Sequence, residues 1–107
     1  PIFLVLGTTG GHDPSGFATT LAPLRPRAVT AVACRSPRTH NAAAVARACA
    51  RCFGVCEEAP LIPALERAMK AARACGGAVL VTGSLYLAGE VRQHLLGGPA
   101  DPFLPLF

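Results

Sequence analysis

Short apolar runs alternate with longer stretches of helical character along the whole chain. Ile2-Phe3-Leu4-Val5-Leu6 is apolar without interruption and stops at Gly7. Residues 28–34 (Ala-Val-Thr-Ala-Val-Ala-Cys) and 78–82 (Ala-Val-Leu-Val-Thr) repeat that character, and Val55 to Glu58 suggests a short further strand. Unbroken apolar runs suit strands covered on both faces, whereas a half-exposed strand alternates. Parallel strands need a crossover of about a dozen residues, usually a right-handed helical one. The intervening segments are long enough. The pattern therefore predicts an α/β fold in three layers, a mostly parallel sheet with helices on both faces.

The helices have local signals. Asp13-Pro14 opens the first: an aspartate accepts free backbone N–H groups at the N-cap, and proline has none to lose in the first turn. That helix carries Phe17, Leu21 and Leu24 and stops near Pro23 to Pro26. Asn41 to Phe53 is alanine-rich and ends at Gly54. Leu61 to Cys75 puts Leu61, Leu65, Ala68, Met69 and Ala72 on one face, and Gly76-Gly77 ends it. After Gly83-Ser84, Leu87, Val91 and Leu95 recur every four residues. One domain is expected over residues 1–96, with 97–107 a loop or frayed tail rich in proline and glycine.

With 107 residues there is room for one domain, and 51% hydrophobic against 15% charged residues excludes a disordered tail. No apolar run approaches the ~18 residues that cross a bilayer. The chain opens on a core strand at Pro1, without the charged n-region of a signal peptide, as expected of a piece of something longer in the cytoplasm. Net charge is +4, but the nine arginines and Lys70 are scattered and lack interleaved aromatics. Solvated helix faces explain them better than a nucleic-acid surface.

Five cysteines (Cys34, Cys49, Cys52, Cys56, Cys75) include one C-x-x-C pair. No second pair follows at zinc spacing, so buried or partly buried reduced thiols are expected, and no metal site. A metal or redox centre at Cys49, Cys52 and Cys56 is the competing reading. His40 and His94 have no partner suggested by sequence and are expected to face solvent, as are Glu57, Glu58 and Glu66.

Open α/β sheets hold ligands at the carboxyl ends of their strands, where helix N-termini offer N–H groups. Two segments fit: Gly7 to Asp13 and Thr82-Gly83-Ser84. The first matches neither G-x-x-x-x-G-K-[ST] nor G-x-G-x-x-G, which speaks against a full nucleotide cradle. His12 and Asp13 are its candidate substrate-side or nucleotide-side residues, although Asp13 can serve simply as a cap. In the second, Ser84 is the expected N-cap, with N–H groups of Leu85, Tyr86 and Leu87 directed at one spot suited to a carboxylate or phosphate. No nucleophile elbow or paired carboxylates appear, so no catalytic residue is assigned.

The stretch Val79-Leu80-Val81-Thr82-Gly83-Ser84-Leu85-Tyr86-Leu87-Ala88-Gly89-Glu90-Val91-Arg92 closely resembles a signature of the folylpolyglutamate synthase/dihydrofolate synthase family, ATP-dependent amide ligases of the Mur ligase superfamily. Phe3-Leu4-Val5-Leu6-Gly7 with Asp13, and Ser36-Pro37-Arg38, are similar to further family segments, although His12 replaces the usual lysine. The resemblance spans about residues 2–95. It implies a Rossmann-like Mur ligase C-terminal domain, truncated at its N-terminus and inactive alone. The implied parent joins glutamate to dihydropteroate or folate through an acyl phosphate. ATP and Mg²⁺ would be bound mainly by an upstream central ATPase domain, the partner of this one. Glutamate would meet Ser84, Gly83 and Tyr86; no membrane or nucleic-acid partner is implied. A stand-alone α/β module binding an anion or nucleotide is the alternative.

Overall fold

The computed structural model describes residues 1–97; the segment expected as a tail lies outside them, except for Gly97. In chain order the elements are β1 (Ile2–Leu6), α1 (Pro14–Leu21) with a 3-10 turn at Ala22–Leu24, β2 (Ala28–Ala31), α2 (Ala42–Phe53), β3 (Glu57–Glu58), α3 (Leu61–Cys75), β4 (Ala78–Thr82) and α4 (Leu85–Leu96). All strand pairs are parallel, in the order β3-β2-β1-β4. The doubly covered α/β sheet expected from the alternating runs is the fold observed.

β1 is central and supplies both halves of the core. Phe3 and Val5 project to one face, where they meet Ala64, Ala68 and Ala72 of α3 and Leu87 of α4. Leu4 and Leu6 project to the other, against Ala18 of α1 and Val45, Ala46 and Cys49 of α2. The helices meet the sheet largely through alanines, so their backbones lie close to it. Leu4, Leu6, Leu65 and Leu87 are fully buried. Each such side chain contributes about 1.5–3 kcal/mol relative to leaving it in water.

The caps follow the local signals. Asp13 accepts from Ser15 N at 3.0 Å, with Pro14 in the first turn, and Asn41 accepts from Ala44 N at 2.8 Å. Two strands are shorter than the apolar runs suggest. β2 ends at Ala31, not residue 34, because its partner β1 ends at Leu6; one further bond, Val32 N to Leu6 O at 3.0 Å, closes the ladder. β3 is two residues long, and Val55 ahead of it is 77% exposed. An apolar run cannot be a strand beyond the last backbone it can pair with.

At the top of β1 and β4, Gly7 N donates to Thr82 O at 3.2 Å and the two following loops pack backbone to backbone. A Cβ at Gly83 would stand 2.4 Å from Gly7 O and 2.7 Å from Leu6 Cδ1, and Gly83 has φ +108°. Only glycine fits both the space and the dihedral. Gly83→Ala should therefore lower unfolding stability by about 3 kcal/mol. Gly16→Ala, in open space on α1, should raise it by roughly 0.5–1 kcal/mol. Urea unfolding of the two variants checks both signs.

Candidate functional site

β1 sends its chain to one side, toward β2, while β4 lies on the other. The junction between β1 and β4 is thus the topological switch point, and the loops leaving these strands diverge to opposite faces of the sheet. Crevices at such points are where open α/β sheets take ligands. The loops concerned are the two that the sequence singles out, 7–13 and 83–84. The fold brings them together through the Gly7–Gly83 contact.

A third segment joins them. The loop after β2 lies along the loop after β1, with Thr9 and Thr39 forming an antiparallel bridge. Gly10 N donates to Arg38 O at 2.7 Å, and Arg38 Nη2 donates to Gly10 O at 3.2 Å. His40 N donates to Thr8 O at 2.9 Å, and its ring Nδ1 lies 2.7 Å from Thr8 Oγ1. Thr8 is fully buried, so the imidazole satisfies a hydroxyl that would otherwise be stranded. His40 therefore does not simply face solvent.

His12 and Asp13 are exposed at the α1 side of the crevice. The His12 ring lies 6.1 Å from that of Phe17, and the His12 backbone N–H donates to Thr9 O at 3.1 Å. Asp13 is occupied as the cap of α1. With Gly10 N–H and His12 N–H both bonded within the protein, this loop does not present those two amides to a phosphate.

On the other side, Ser84 caps α4, accepting from Tyr86 N at 3.1 Å; Ser84 and Tyr86 are half-buried and Gly83 is buried. Tyr86 N–H is turned to Ser84 Oγ. Cys34, which the sequence reading did not place here, is buried under this helix end within hydrogen-bonding reach of the Ser84 and Thr39 hydroxyls. Burial pushes its thiol pKa up against those hydrogen bonds, so it sits there as a neutral group. Its position at the end of the 28–34 run was the available signal, since that run leads to the sheet's carboxyl edge.

Glu90 fastens the rim from α4 by accepting from Arg35 N–H. Burial raises the Glu90 carboxyl above its ordinary 4.5, opposed by the Arg35 amide and guanidinium. His94 and Glu66 pair elsewhere, at 3.6 Å between α4 and α3, and Glu57 meets Arg67 at 3.3 Å. All nine arginines are exposed, as their scatter suggests. Cys34 and Cys49 are buried and Cys56 half-buried, but Cys52 and Cys75 are exposed, contrary to the uniform burial expected of the thiols. Among the described residues, no group of three or more His, Cys, Asp or Glu side chains could hold a metal ion.

No protein-family model and no curated protein matches the sequence. Solved structures do. A Mycobacterium tuberculosis folylpolyglutamate synthase, complexed with ADP and AMPPCP, superposes with a TM-score of 0.75 and 25% identity over 94% of this chain. The same organism's folylpolyglutamate synthase complexed with ADP gives 0.74 and 26% over 94%. The chain resembles one Mur ligase-type domain of folylpolyglutamate synthase. It spans 24% of the length of either matched synthase. No helix among the described residues is long and apolar enough to cross a membrane.

Glu90 makes this rim pH-sensitive. A carboxyl whose folded pKa is raised adds stability below its unfolded pKa and loses it as pH rises through the folded value. Glu90→Gln keeps an oxygen for Arg35 N–H and removes the buried charge. The variant's stability, followed by thermal unfolding from pH 4 to 7, should decline less with rising pH than that of the wild type.

Proposed function

We propose that this chain is the C-terminal, glutamate-receiving domain of an ATP-dependent folate amide ligase. The observation that carries the reading is the likeness to folylpolyglutamate synthase at 25% identity over 94% of the chain. The sequence signature at residues 79–92 passes through Gly83-Ser84, beside the β1–β4 switch point. In this reading the carboxylate of dihydropteroate or folate is activated as an acyl phosphate, and the glutamate amine displaces phosphate to form the amide.

The domain's part is to receive and orient glutamate. Ser84 would donate to a glutamate carboxylate, with Gly83 giving the close backbone approach and Tyr86 walling the mouth. His12 and Asp13 would flank the substrate from the α1 side. Closing this rim over the other domains would keep water from a readily hydrolysed intermediate. ATP and Mg²⁺ would be held mainly by other parts of the ligase, since the Gly7, Gly10 and His12 amides of loop 7–13 are bonded within the protein. The free thiols fit a cytoplasmic setting.

Ser84→Ala in the full-length ligase tests the role. A hydrogen bond to a charged group is worth about 1.5–3 kcal/mol, so KM for glutamate should rise roughly 10- to 100-fold. The KM values for ATP and the folate substrate should stay put. Glutamate kinetics equal to wild type in a folded variant would reduce Ser84 to a helix cap.

A further inference from the structure

Cys49, on the buried face of α2, belongs to the core cluster beneath that helix. The helix ends at Gly54, whose φ of +80° turns the chain back. Cys56 then returns onto the same cluster. Packed in that one cluster, the two thiols lie within reach of each other, and neither is in a disulfide. Cys56 also reaches Glu57 O at 3.5 Å and keeps partial access to solvent. Cys52, one turn beyond Cys49, points outward and lies 3.8 Å from Thr19 Oγ1 instead. Cys34 lies in the opposite half of the core and Cys75 at the end of α3.

We propose that Cys49 and Cys56 are a peroxide-responsive dithiol, which closes to a disulfide joining α2 to the start of β3. Cys56 is the attacking group, because it is the one that peroxide can reach. The Cys49 thiol within its reach lowers the Cys56 pKa, and that of Cys49 is raised; thiolate character is what makes a sulfur react. Cys56 sulfur attacks hydrogen peroxide: the S–O bond forms, the O–O bond breaks, and the departing hydroxide takes a proton to become water. Cys49 sulfur then attacks the Cys56 sulfenic acid. The S–S bond forms, the S–O bond breaks, and the leaving hydroxide takes up the Cys49 proton as a second water. The protein loses two hydrogens and two electrons, and one peroxide is reduced to two waters. The burial of Cys49 favours this partner over any thiol from another molecule.

The test is limited oxidation of the purified chain by hydrogen peroxide, followed by alkylation and peptide mapping. Trypsin cuts after Arg47, Arg51 and Arg67, which places Cys49 in one peptide and Cys52 with Cys56 in the next. In Cys52→Ser, a disulfide between these two peptides can only be Cys49–Cys56. The expected result is that link in wild type and Cys52→Ser alike, reversed by dithiothreitol. Cys56→Ser should leave Cys49 unoxidised, with an unchanged circular dichroism spectrum. The proposal is overturned if Cys52→Ser forms no such link, if Cys56 is over-oxidised without joining Cys49, or if the disulfides found are Cys52 or Cys75 bridges between molecules.

Discussion

The structure depends on one contact between backbones, Gly7 against Gly83, where β1 and β4 end side by side. Parallel pairing of Leu4 with Leu80, Val5 with Val81 and Leu6 with Thr82 brings the two strands to the same height. From there α1 and α4 must leave on opposite faces, because each covers a different half of the β1 side chains. Any side chain at position 83 would hold the loops apart. The crevice is thus set by the core: the alternation of Phe3 and Val5 with Leu4 and Leu6 decides which helix covers which face, and so where the chain divides.

Much of this was legible in the sequence because its causes are local. Asp13-Pro14 and Ser84 mark helix starts, since capping needs only a side chain and amides two or three residues on. The run at 78–82 reads as a strand and is one. Strand lengths at β2 and β3 were less legible, because a strand ends where its partner does, and no property of Ala33 or Val55 reveals that. The rim was illegible for the same reason. Thr8 and His40 are separated by 32 positions, and Arg35 and Glu90 by 55; such pairs follow from topology and from no pattern along the chain.

The site is also more self-contained than helix ends alone suggest. Free amides at the start of a helix are ordinarily the anion-binding resource, yet here Ser84 takes up that of Tyr86. The switch point has the Ser84 hydroxyl on one side and His12 and Asp13 on the other, with Arg38 and His40 bracing the loop behind them.

The central claim is that ligand approaches the β1–β4 switch point. Amide hydrogen exchange of the full-length ligase, with and without glutamate and a nonhydrolysable nucleotide, measures this directly. The account predicts slowed exchange in segments 8–13 and 83–86, with helix α2 unaffected. Protection confined to the opposite end of the sheet, around residues 25–28 and 76–78, would contradict it.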